Sequence, residues 1–104
     1  MNETKLKNLL GLAQRARLLV SGNFQVNEAL NLGKVKMLIV TTDASERSFA
    51  DYKKISAVKN LPLLRTLTKE TLGQCLGKGE RTVAAVLDDG FTSSIQKLLS
   101  SAKE

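Results

Sequence analysis

The chain has 104 residues, of which 42% are hydrophobic but only 4% aromatic, and it carries a net charge of +6. That length predicts one domain, residues 1–104, whose core must rest on Leu, Val, Ile and Ala. The basic balance points to an anionic partner, nucleic acid first, against the plainer reading of a merely soluble basic protein, and with no His and a single Cys the commonest general base and a zinc site are excluded.

Asn2 can cap a first helix running to about Arg15, with Leu6, Leu9, Leu10 and Ala13 on its inner face at helical spacing. Arg15 and Arg17 lie at its exit, suited either to the helix dipole or to phosphate contact. Leu18 to Val20 reads as a short strand, and Gly22 turns the chain into a second helix that Asn23 can cap. Val26, Ala29, Leu30 and Gly33 share one helical face, and Gly33 is the predicted stop. Lys34 and Lys36 then precede an apolar strand, Met37 to Val40, which ends in Thr41, Thr42 and Asp43.

Asp43 with Glu46 can form a capping box for a third helix reaching about Lys59. Its stripe is Phe49, Tyr52 and Ile55, with Tyr52 read as core rather than as a base-stacking group. Pro62 marks the start of a strand, Leu63 to Leu67. Thr68 caps the next helix, with Leu67 and Leu72 as a hydrophobic staple and with Leu72, Cys75 and Leu76 facing inward. Gly77 to Arg81 is predicted as a flexible charged loop. Thr82 to Leu87 is a near-continuous apolar run, typical of a strand covered on both faces. Asp88 or Asp89 caps the last helix, whose inner face is Phe91, Ile95, Leu98 and Ala102, and the final Ser-Ala-Lys-Glu is expected to fray. Strands alternate with helices throughout, which predicts an α/β fold: a sheet with helices on both faces in one three-layer sandwich.

Cys75, the only cysteine, cannot form an internal disulfide, which fits a reducing compartment. Charged residues interrupt every apolar run in Met1 to Leu10, so no signal peptide is read there, and no run approaches the roughly 20 residues of a membrane span. The expectation is a soluble cytoplasmic protein with no membrane partner. Gly73 to Lys78, GQCLGK, is one residue short of a phosphate-binding P-loop and is followed by Gly79 in place of Ser or Thr. Asp88 and Asp89 are adjacent and cannot flank one substrate atom from a strand end. Ser21, Thr42 and Ser45 have no base to activate them. No cofactor and no catalysis are expected.

The unit GNFQVNEALNLGKVKMLIVTTDAS and the later TKETLGQCLGKGERTVAAVLD, in that order, resemble the kink-turn RNA-binding ribosomal protein family, the L7Ae family. The opening LLGLAQRARLLVSG is similar to a small bacterial branch of it, the YlxQ-type proteins. The resemblance covers nearly the whole chain. It implies an α/β/α sandwich around a four-stranded mixed sheet, with RNA bound at one end of the sheet. In the family the helix after the glycine begins with Asn-Glu and carries Lys three residues later, and these groups recognise a guanine-rich internal loop. Here those positions are Phe24, Gln25 and Glu28. Lys34 and Lys36 match the family's basic residues before the strand. Thr42, Asp43 and Ala44 match the strand-end turn. Lys78, Gly79, Glu80 and Arg81 stand in place of the specificity loop, charged here where archaeal members are apolar, which favours phosphate contact.

The leading reading is a noncatalytic, monomeric RNA-binding protein associated with the ribosome or translation factors. Its contacts would be Gly22, Asn23, Phe24 and Gln25 at a helix N-terminus, the turn Thr42 to Ala44, and the basic positions Lys34, Lys36, Lys78 and Arg81. The alternative is a protein-interaction adaptor that kept the fold and lost kink-turn recognition, which predicts an exposed apolar patch containing Phe24 and Val26. An enzyme acting on a phosphorylated small molecule is a third reading without acid–base groups to support it.

Overall fold

The computed structural model describes residues 3–101. Asn2 as a helix cap and Ala102 on the last helix lie outside them, as do the last three of the four residues expected to fray. Nine elements follow in the order α1 (Glu3–Arg15), β1 (Leu19–Ser21), α2 (Asn23–Asn31), β2 (Met37–Val40), α3 (Glu46–Lys59), β3 (Leu63–Arg65), α4 (Lys69–Cys75), β4 (Val83–Val86) and α5 (Asp89–Ser101) among the described residues. The strands form one mixed sheet of order β1-β4-β2-β3, with β2 and β3 parallel and the other neighbours antiparallel.

Alternation along each strand divides the core into two layers. Leu19, Met37, Ile39, Ala84 and Val86 point to one face, where Leu6 and Leu10 of α1, Leu72 of α4 and Ile95 of α5 cover them. Val20, Leu38, Val40, Val83 and Ala85 point to the other, against Val26 and Leu30 of α2 and Tyr52 of α3. All four residues of β2 and of β4 are buried, as expected of strands covered on both sides. The fold is therefore the expected α/β/α sandwich. No helix among the described residues is long and apolar enough to cross a membrane.

Helix ends test the local reading closely. Helix α2 stops at Gly33 with paired bonds from Gly33 N–H to Leu30 O and from Lys34 N–H to Ala29 O, and α4 stops at Gly77 in the same way. Thr68 caps α4 through the Thr71 N–H, and Asp88 caps α5 through the Phe91 N–H. Leu67 and Leu72, the predicted staple, share one core cluster.

Three local expectations fail. Helix α3 is capped by Ser45, which accepts the Ser48 N–H at 3.1 Å, and not by Asp43. The residue directly before the helix, in extended conformation, is the one whose side chain reaches the third helical N–H. Asn23 does not cap α2: it is the first helical residue, and Gly22 before it has no side chain to offer. Strand β3 ends at Arg65, because Leu67 turns to φ 62° and leaves the ladder.

Candidate functional site

The C-terminal ends of β1, β2 and β3 and the N-terminal start of β4 all open on one end of the sheet. Register sets this: Ser21 stands opposite Ala84, Val40 opposite Val83, and Val40 beside Arg65 in the parallel pair. Three segments of the predicted site meet there.

The first is the start of α2. Gly22 has φ 89° and ψ 151°, a backbone state that a side chain would strain, and no side chain caps the helix. Asn23 turns instead toward α3, where its Oδ1 accepts the Tyr52 hydroxyl at 2.8 Å. Burial first, and then the Asp51 carboxylate, push the Tyr52 phenol above its ordinary value, so it keeps the proton it donates. A cleft of about 430 Å³ between α2 and α3 is lined by Asn23, Asn27 and Tyr52 among others. Phe24 is 78% exposed, so it stands free of the core. Gln25 is also exposed.

The second segment is the loop before β4. Arg81 is half-buried, and its Nε donates to Ser21 Oγ at 3.2 Å while its Nη1 donates to the Glu80 carbonyl at 3.0 Å. Its aliphatic stem passes over Gly22, where an added Cβ would lie 3.9 Å from Arg81 Cδ. Lys78, Gly79 and Glu80 are exposed. Their path is held from below by Gly73 of α4: a Cβ there would meet the Gly79 carbonyl oxygen at 2.0 Å. Close packing at Gly73 is thus what seats the loop.

The third is the turn after β2. Thr42 donates from its N–H and its Oγ1 to Leu67 O, at 2.8 and 2.9 Å. Asp43 Oδ1 accepts the Lys69 N–H at 3.0 Å, so this carboxylate serves the start of α4. Ala44 is buried and shapes the turn from within. Thr41, fully buried at the end of β2, has an Oγ1 with no hydrogen-bond partner among the described residues.

Lys34 and Lys36 are not part of this end. The Lys36 N–H donates to Val86 O, at the finish of β4, so both lysines sit where β2 begins. A four-residue strand at roughly 3.3 Å per residue places about 13 Å of buried sheet between them and Thr41. The predicted residues therefore divide between two ends of the sheet.

Arg65 was absent from the sequence-derived site. It is exposed at the end of β3, its guanidinium stacks 4.0 Å from the Phe49 ring centroid, and its Nη2 donates to Thr42 O at 3.2 Å. The signal for it is the parallel pairing of β2 and β3, which brings both C-terminal ends to one side; sequence periodicity cannot supply that pairing. Among the described residues no group of three or more His, Cys, Asp or Glu is placed to hold a metal ion. Cys75 is half-buried, and burial raises its thiol above the ordinary value although Lys7 pulls it partly back.

The expected patch of Phe24 with Val26 is corrected: Val26 is fully buried, and the exposed apolar neighbour is Leu32, the C-cap of α2, 62% exposed. Phe24, Glu28 and Leu32 follow one another at four-residue spacing on the outer face.

The model of the ribosomal protein L7Ae/L30e/S12e/Gadd45 family matches residues 4–96. Among characterised proteins, the RNA-binding protein YlxQ of Bacillus subtilis is 34% identical over 91 residues, covering 88% of this chain and 91% of its own. The RNA-binding protein YlxQ of Enterococcus faecium is 31% identical over 98 residues, covering 94% of each chain. A solved structure from Bacillus halodurans, of a protein of unknown function, superposes with a TM-score of 0.84 at 33% identity, over 90% of this chain and 95% of that one. The 15.5kD RNA binding protein of Giardia lamblia superposes with a TM-score of 0.77 at 17% identity, over 97% of this chain and 87% of that one, a likeness of fold. On the extent of the family match and on two relatives above 30% identity along nearly their whole length, the chain belongs to the ribosomal protein L7Ae/L30e/S12e/Gadd45 family, in its YlxQ branch.

Proposed function

We propose that this chain is a noncatalytic RNA-binding protein that meets structured, kink-turn-like RNA at the sheet end formed by Gly22 to Gln25, Thr42 to Ala44 and Lys78 to Arg81. The observation that carries this reading is Arg81 laid across Gly22, bonded to Ser21 Oγ at 3.2 Å. It sets a guanidinium beside a helix N-terminus that no side chain caps, and both favour phosphate. The two relatives named as RNA-binding proteins support the same class of partner.

Phe24 and Gln25 replace the Asn and Glu that the resemblance leads one to expect, and Glu28 replaces the Lys. An exposed phenyl ring offers a stacking face to an unpaired base and no base-edge hydrogen bonds. Binding is then led by phosphate and shape. The chain acts as a single domain and a monomer in the cytoplasm, in the company of the ribosome or translation factors.

The test is a pair of binding isotherms at several salt concentrations, one for a kink-turn RNA and one for a plain duplex. A handful of phosphate contacts gives a log–log slope of magnitude roughly 3 to 5 for the RNA that binds. The double change Phe24→Asn with Gln25→Glu increases the preference for the kink-turn. Salt-independent affinity, or no binding to either RNA, rejects the reading.

A further inference from the structure

Helix α2 runs along the flank of the sandwich from the Gly22 end to the Lys34 end. Its inner residues, Val26, Ala29 and Leu30, are spent on the core. Its outer line is Phe24 and Glu28, continued by Leu32 at the C-cap, one turn apart each. These three, with half-buried Val20 of β1, half-buried Leu87 after β4, and Lys34, line a groove of about 270 Å³.

We propose that this flank docks an amphipathic helix of a partner protein, with apolar side chains beside Phe24 and Leu32 and a lysine or arginine against Glu28. Two large apolar groups, 78% and 62% exposed, stand one turn on either side of a carboxylate. A helix laid along them matches that spacing with an apolar residue, a cation and a second apolar residue at i, i+4 and i+8. Lys34 at the far end favours an acidic residue there, which fixes the direction of the incoming helix.

Charge argues against the other occupants. An RNA backbone along the groove would run past the Glu28 carboxylate and largely apolar walls, and Lys34 at one end is the only cation among the described lining residues. A second copy packed about a two-fold axis through the middle of α2 would set one Glu28 carboxylate against the other, a like-charge contact that such pairing selects against. The flank shares Phe24 and Gln25 with the proposed RNA surface, so RNA and the partner helix compete for that ring, whereas Glu28, Leu32, Val20 and Leu87 belong to the flank alone.

The test uses the full chain, isotope-labelled, and two helical peptides identical except at one residue. One presents Leu, Arg and Leu at i, i+4 and i+8; the other has Glu in place of the Arg. The expected result is that the arginine peptide shifts the amide signals of Phe24, Glu28 and Leu32 and binds about threefold tighter than the glutamate peptide, the range of a partly exposed ion pair. Glu28→Arg, at an exposed position, reverses that order. Equal binding of the two peptides, no binding of either, or shifts confined to another face overturns the proposal. Self-association of the chain that Phe24→Ser abolishes gives the groove to a second copy and overturns it. Shifts at Leu32 and Leu87 on adding RNA alone give it to nucleic acid and overturn it as well.

Discussion

Arg81 and Ser21 stand 60 positions apart in sequence, and Arg81 Nε donates to Ser21 Oγ at 3.2 Å. This contact joins the loop before β4 to the end of β1, and the guanidinium reaches the start of α2 only because the two strands are antiparallel neighbours. Lys78, three residues earlier, is exposed. The two cations of one loop thus have different duties.

Replacing Lys78 by Ala changes stability by less than about 0.5 kcal/mol, as surface changes usually do, and reduces the RNA salt slope by about 0.7 to 0.9, one phosphate contact. Arg81→Ala weakens RNA binding more and also costs about 1 kcal/mol of stability through its lost hydrogen bonds. Lys34→Ala with Lys36→Ala, at the opposite end of the sheet, leaves affinity for the same RNA within about threefold of the parent, since screening damps exposed charges beyond about 8 Å at physiological salt. Anisotropy titrations of the variants beside urea melts separate binding from folding. A loss from the Lys34 and Lys36 double change equal to that from Arg81→Ala would mean that the RNA surface spans both ends.

Gly73→Ala should displace the loop. The added Cβ would fall 2.0 Å from the Gly79 carbonyl oxygen, which belongs to backbone and cannot rotate aside. Overpacking of this kind costs about 1 to 3 kcal/mol. RNA affinity should fall with the displaced loop although Gly73 is buried and touches no ligand. A melt equal to the parent's would show that the loop yields freely.

Thr41→Val should stabilise the protein. The Thr41 side chain is fully buried and its hydroxyl has no partner among the described residues, and an unsatisfied buried polar group costs about 1 to 3 kcal/mol. Valine keeps the branched shape without the hydroxyl. A gain of about 1 kcal/mol is expected in denaturant melts. A loss would mean that the hydroxyl is satisfied in solution.

Tyr52 makes stability fall at high pH. Its folded value is raised above 10.0 by burial and by Asp51. Below that value both states hold the proton and stability is full. As pH rises through about 10, the unfolded chain releases the proton while the folded one keeps it, so unfolding gains until the folded phenol also ionises. Tyr52→Phe loses about 1 kcal/mol at neutral pH with the bond to Asn23, and its melts at about pH 9 and about pH 11 differ less than the parent's. An equal alkaline loss in both proteins would assign it to other groups.

Most of the elements were legible in the chain because their causes are local. Periodic Leu and Val positions define α1, α2 and the two buried strands, and Thr68 and Asp88 cap from the residue before the helix. Glycine stops and the staple of Leu67 with Leu72 also act within a few residues. The exposure of Phe24 beside buried Val26 follows from a two-residue step, about 200° around the helix axis, which the expected patch of the two side chains overlooked.

The composition of the site was decided by the tertiary structure. Lys34 and Lys36 are neighbours of the site in sequence, yet one buried strand carries them to the opposite end of the sheet. Arg65 lies far from Thr42 in sequence, yet the parallel pairing of β2 with β3 brings its guanidinium to the Thr42 carbonyl at 3.2 Å. Asp43 stands within reach of one helix in sequence and serves another, because the turn after β2 passes the start of α4. Local patterning locates a strand along the chain, though not its last residue at β3, since it depends on side chains a few residues apart. Strand order and direction depend on which apolar faces find each other across the whole chain, and it is order and direction that place side chains at one end of the sheet or the other.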